Sequence, residues 1–173
     1  NSTKNTAVVV STNTVIKPIV IATWRVPNAT AKAWEVLQNG GSSLDAVEQG
    51  CMIEEADVKN SSVGKGGFPD RDGNVTLDAC IMDKDGNYGA VICVQNITHV
   101  ISLARKVMEK TPHVILAGDG AEKFGYEQGF KKENLLTESS KKAWEKWKET
   151  SQYKPIINIE NHDTIGMLAI DSN

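Results

Sequence analysis

Thr76–Met82 (TLDACIM) and Tyr88–Val94 (YGAVICV) are two apolar runs separated by Asp83-Lys84-Asp85-Gly86-Asn87. A connection that short joins antiparallel neighbours, because a parallel crossover takes a dozen residues or more. The pair therefore commits part of any sheet to antiparallel pairing. Further apolar runs at Ile19–Thr23 (IVIAT), His113–Ala117 (HVILA) and Thr164–Ile170 predict more strands. Between them, helical spacing and stop signals predict helices over Ala29–Leu37, over Leu44–Glu55 with Ser43 as cap, and from a Thr98 cap through Met108. Two more are predicted, from Gly118-Asp119-Gly120 to Gln128 and over Glu138–Thr150, where Trp144 and Trp147 favour core packing. This mixture points to an α/β (α+β) chain with a helix-covered sheet containing antiparallel pairs, and away from a doubly wound parallel sheet.

The 173 residues are enough for one domain with a real core, and 40% hydrophobic with 24% charged is ordinary for a globular protein. A net charge of -3 argues against nucleic acid as a partner. No apolar run approaches the roughly 20 residues that span a bilayer. GxGxxG and Walker-type phosphate loops are absent. Cys51, Cys80 and Cys93 form no CxxC, and His99, His113 and His162 are scattered, so neither a metal site nor a cofactor is expected. The thiols are expected to be buried and free, with a Cys80–Cys93 disulfide as the lesser alternative. N-x-S/T sequons start at Asn1, Asn28, Asn60, Asn74 and Asn96, most of them attributable to the abundance of Ser, Thr and Asn. Residues 1–17 read as an extended, partly disordered arm with a trimmed start, and Lys154–Glu160 as a linker. The loop Asn60–Gly73 (NSSVGKGGFPDRDG) is long and glycine-rich, the kind that more often carries function than scaffold.

Chemistry concentrates at His162-Asp163-Thr164, where a polar triplet meets the last strand. A threonine hydroxyl is a poor nucleophile without a base beside it. A threonine that begins a chain carries its own base, an α-amine with a pKa of about 8. Thr164 is internal, so the Asp163–Thr164 bond must first be cut. The hydroxyl can attack the preceding carbonyl to give an ester that water opens, with Asp163 and His162 available to move protons. On the triplet alone, a simple strand start is the favoured reading.

HDTIG at the head of an apolar strand resembles the self-cleavage site of the glycosylasparaginases (aspartylglucosaminidases), which are N-terminal nucleophile hydrolases. The likeness extends to PIVIATW (Pro18–Trp24), GGSSLDAVEQG (Gly40–Gly50), SVGKGGFPDRDGNVTLDACIMD (Ser62–Asp83) and ARKVMEKTPHVILAGDGAEKFG (Ala104–Gly125), in that order. The resemblance implies a four-layer αββα sandwich, of which this chain would hold the N-terminal half. It divides the chain into the arm 1–17, an α-subunit-like part 18–163 and the start of a β-subunit-like part, 164–173. It implies self-cleavage before Thr164, followed by hydrolysis of the amide between asparagine and N-acetylglucosamine. Thr164 would be the nucleophile, Trp24 would line the substrate pocket, and Ser62 would tune the nucleophile's amine. His162 and Asp163 would act in self-cleavage. An uncut chain would be an inactive precursor.

In the family, the arginine and aspartate that grip the substrate, and the oxyanion-hole threonine and glycine, lie downstream of the threonine. The chain stops short of them, so its own β portion or a second chain is expected to complete the fold, as a dimer of αβ units. An extracytoplasmic location, periplasmic or lysosomal, is implied as well. Two alternatives stand beside this reading: an isoaspartyl peptidase/L-asparaginase of the same superfamily, and a non-catalytic binding fragment.

Overall fold

The computed structural model describes residues 16–150 and 164–172. Residues 1–15 of the expected arm, the linker Lys154–Glu160, and His162 and Asp163 lie outside the described residues. The elements run β1 (Ile19–Ala22), α1 (Pro27–Gln38), α2 (Ser43–Ala56), β2 (Leu77–Met82), β3 (Tyr88–Val94), α3 (Val100–Lys110), β4 (Ile115–Ala117), α4 (Gly118–Glu127), α5 (Glu138–Thr150) and β5 (Met167–Ile170).

Local chemistry explains most boundaries. Pro27 opens α1, two residues earlier than the apolar spacing suggests, because the first turn needs no N–H from it. Ser42, not Ser43, caps α2: its Oγ accepts the Asp45 N–H at 3.1 Å. The hairpin closes through Asp83, whose carboxylate takes the N–H groups of Asp85 and Asn87, each at 2.9 Å, while Gly86 supplies φ +82°. The α3 helix starts at Val100 with His99 as its cap residue, rather than with a capping Thr98. Thr98 is buried, and its hydroxyl has no hydrogen-bond partner among the described residues.

Two sheets form. The β1 and β5 strands pair antiparallel, Ile19 opposite Ile170 and Ala22 opposite Met167. In the other sheet β2 pairs antiparallel with β3, and β3 pairs parallel with β4. The α1–α2 pair packs on the two-stranded sheet, and α3 with α4 on the three-stranded one. The described chain is thus a mixed α/β arrangement of five helices and two sheets.

The main core joins Leu77, Ile81, Val91 and Val94 of the hairpin to Leu103, Ala104 and Val107 of α3, with Cys51 of α2 at its border. Gly89 lets α3 lie directly on β3, because a Cβ there would come within 2.3 Å of the Ala104 carbonyl. Among the described residues, both sheets keep one face free of helices, and that face is largely apolar. On β1 and β5 it is Ile19, Ile21, Leu168 and Ile170, exposed by 47, 60, 72 and 51%. On the other sheet it includes Cys80, Met82, Ile92 and Ile115, all exposed.

The cysteines divide. Cys51 is buried and free as expected, and burial pushes its thiol up to about 12. Cys80 and Cys93 are also free, which excludes the disulfide, but both are exposed because they stand on the sheet away from α3. Trp144 and Trp147 stay outside the core. Trp144 donates Nε1–H to the Arg71 carbonyl at 3.2 Å under the Lys148 ammonium, and Trp147 is 44% exposed. The Asn96 sequon is occupied by structure: the Asn96 amide donates to Glu122 Oε2 at 2.9 Å, and Thr98 is buried.

Candidate active site

The β1–β5 ladder brings Trp24 to Thr164 across 140 residues of sequence. Thr23, just past β1, clamps the chain ahead of β5 from both sides. Its N–H donates to the Gly166 carbonyl at 2.9 Å, and its Oγ1 accepts the Gly166 N–H at 2.8 Å. Trp24 follows with φ +62°, in the left-handed region that bulky side chains avoid. Strained residues of this kind concentrate at functional sites. The unusual backbone turns the indole towards β5, where Nε1–H donates to the Thr164 carbonyl at 2.6 Å. The ring itself stays 64% exposed, a broad apolar wall beside the threonine. Thr164 is exposed as well, directly ahead of the residues that enter the ladder.

This geometry permits one kind of chemistry well. The ladder begins at Met167, Thr23 fixes Gly166 just ahead of it, and the Trp24 indole holds the Thr164 carbonyl, while Thr164 stays exposed. Of the sequence-predicted residues, Trp24 and Thr164 are therefore in direct contact. His162 and Asp163 lie outside the described residues.

Ser62 sits in the loop between α2 and β2. It is exposed, and its N–H donates to Asn60 Oδ1 at 2.9 Å. The loop is fastened at several points. The Asn60 amide donates to Glu54, the Lys65 N–H donates to the Glu55 carbonyl at 2.8 Å, and the Gly66 N–H donates to the Leu135 carbonyl at 3.0 Å. The Lys65 ammonium pairs with Glu133 at 3.1 Å, and Ser140 Oγ closes on the Gly66 carbonyl. Among the described residues no cluster of three or more His, Cys, Asp or Glu side chains could hold a metal ion.

Sequence reasoning missed two residues. Thr23 reads as an ordinary strand end, and Glu55 as one more charge at the end of a helix. Their partners are distant in sequence, 143 residues away for Thr23 and 46 for Glu55. An acidic residue in the last turn of α2, where the helix dipole disfavours it, was the available signal for Glu55.

Comparison with known proteins gives a consistent result. A family model described as Asparaginase matches residues 6–173. The chain is 61% identical over 157 residues to an N(4)-(Beta-N-acetylglucosaminyl)-L-asparaginase of Elizabethkingia miricola, covering 90% of this chain and 46% of that protein. It is 38% identical to the mouse protein of that name (88% of this chain, 54% of the relative). The rat protein is 39% identical (88% and 53%). The chain thus spans about half the length of the curated relatives it matches.

Proposed function

The chain belongs to this asparaginase family, and from that premise we propose that it is the nucleophile-bearing part of an amidohydrolase cleaving N4-(β-N-acetylglucosaminyl)-L-asparagine. The observation that carries the reading is the contact of the Trp24 indole with Thr164 at the end of the β1–β5 ladder.

The proposed chemistry has two stages. First, Thr164 Oγ attacks the Asp163 carbonyl and the Asp163–Thr164 C–N bond breaks. This forms an ester and frees the Thr164 amine. Water then hydrolyses the ester, leaving a carboxylate on Asp163. His162 and Asp163 move protons in this stage. In the second stage the freed amine takes the proton from Thr164 Oγ, which attacks the side-chain amide of the glycoasparagine. The amino sugar leaves protonated, an aspartyl ester remains on Thr164, and water releases aspartate. Trp24 walls the substrate, and Ser62 tunes the amine. The uncut chain, whose amine is locked in a peptide bond, is the inactive precursor.

The two helix-free apolar faces support reading the sheets as the inner layers of a four-layer αββα sandwich, completed by a β portion and assembled as a dimer of αβ units. An extracytoplasmic location goes with this reading. The family's description as Asparaginase keeps hydrolysis of L-asparagine as the second reading, with β-aspartyl dipeptides the further substrates of an isoaspartyl peptidase of the same superfamily.

The test is an intact mass spectrum of the full-length polypeptide before and after incubation, followed by hydrolysis assays on glycoasparagine, L-asparagine and a β-aspartyl dipeptide. Cleavage before Thr164 is expected, with glycoasparagine the best substrate. Thr164→Ala should abolish both activities. Cleavage that survives in Thr164→Ala would sink the mechanism, and a preference for the β-aspartyl dipeptide would favour the second reading.

A further inference from the structure

Glu55 is 4% exposed, in the last turn of α2. Its carboxylate does three things at once. Oε1 accepts the Ile101 N–H at 2.9 Å, supplying a cap that His99 does not give to the first turn of α3. Oε2 meets His99 Nδ1 at 3.2 Å. The negative charge stands at the positive end of the α3 dipole, which favours it. The same residue's carbonyl accepts the Lys65 N–H at 2.8 Å. Gly64 passes so close that a Cβ there would lie 2.1 Å from that carbonyl, at a φ of +65° that only glycine adopts freely. One buried residue therefore ties together the end of α2, the start of α3 and the loop that carries Ser62. Burial raises its carboxyl pKa, and the hydrogen bonds from His99 and Ile101 oppose that rise.

We infer that Glu55 and His99 are positioning residues for the Ser62 loop, holding it in the geometry that the nucleophile requires. The inference rests on the role given to Ser62 in the proposed function and names a pair that this role does not include. If His99 is lost, the carboxylate keeps Ile101 but loses its side-chain partner in a buried place, where an unpartnered polar group is costly. The carboxylate then shifts, and the loop fastened to the same residue shifts with it.

The experiment compares His99→Leu, His99→Asn and Glu55→Gln in the full-length polypeptide. It measures the rate of cleavage before Thr164, kcat and KM on glycoasparagine, and amide hydrogen exchange across residues 61–68. His99→Leu should lower cleavage rate and kcat about tenfold, with KM within about twofold, since a misplaced partner of the nucleophile costs on the order of 1.4 kcal/mol at the transition state. Exchange across 61–68 should quicken. His99→Asn, which keeps an amide able to meet Glu55, should restore most of the loss. If His99→Leu does not fold, Glu55→Gln, which keeps the shape and weakens the pair, should show the same kcat loss in milder form. Wild-type kcat, cleavage and exchange in every folded variant would overturn the inference while leaving the proposed function standing. A wild-type polypeptide that neither cuts itself nor hydrolyses the substrate would instead overturn the proposed function and this inference with it.

Discussion

At the scale of single residues, the site depends on one hydrogen bond made by a strained tryptophan. Trp24 holds φ +62° and spends its indole N–H on the Thr164 carbonyl. Trp24→Phe keeps an aromatic wall and deletes that bond. A net hydrogen bond is worth about 1 kcal/mol, so the proposed self-cleavage should slow roughly fivefold while the fold persists. The check is the half-life of the uncut chain by mass spectrometry beside its Tm. A Tm drop of many degrees with an unchanged half-life would show that the bond serves stability instead. The positions of Trp24 and Thr164 at the ends of apolar runs were legible as strand boundaries, whereas the roles proposed for them came from the family resemblance. The clamp by Thr23 was not, since nothing local distinguishes a threonine that pairs with a neighbouring strand from one that faces water.

At the scale of elements, the two helix pairs are joined by charge as well as by apolar contact. Arg105 of α3 reaches Asp45 and Glu48 of α2, each at 2.6 Å, and Glu109 of its own helix at 2.7 Å. The hydrogen bond from Arg105 is the largest of the influences on Asp45 and, outweighing partial burial, holds its carboxyl below the ordinary 3.8. A lowered carboxyl adds stability above 3.8 that is lost as pH falls through the lowered value. Arg105→Met should cost about 1–2 kcal/mol near neutral pH, towards the low end because Asp45 is partly exposed. Wild type and variant should converge as the pH drops below 3.8, which melting curves across that range would reveal. Constant separation at all pH values would remove Asp45 from the account. Helix and strand identities were readable from periodicity, whereas the caps were not. Ser42 and Ser43 are equally good capping residues by type, and the cap on α3 comes from Glu55, a residue of another helix.

At the scale of the whole molecule, the two open sheet faces are the dominant unresolved surface energy. Ile19, Ile21, Leu168 and Ile170 on one sheet, and Met82, Ile92 and Ile115 on the other, are all at least 40% exposed. Contiguous apolar faces of this kind are what the proposed four-layer arrangement would cover. Cys80 shares the second face and reports on it. In this chain by itself a thiol reagent should modify Cys80 readily and Cys51 slowly. In the full-length polypeptide of the proposed four-layer arrangement, Cys80 should become protected. Equal reactivity in both would mean that the face stays open. The sequence makes the strands apolar but does not say which side of each sheet the helices leave bare.

The β1–β5 ladder has a further consequence, for the order of assembly. It pairs residue 19 with residue 170, so a cut before Thr164 would leave β1 on one product and β5 on the other, still zipped together. In the uncut chain β5 searches for β1 intramolecularly, at an effective concentration on the order of millimolar. Pieces synthesised separately would have to meet by diffusion at cellular concentrations far below that. On the proposed self-cleavage, heterodimer formation would be a unimolecular folding event that dilution does not oppose, and the covalent link would serve as a temporary tether during folding.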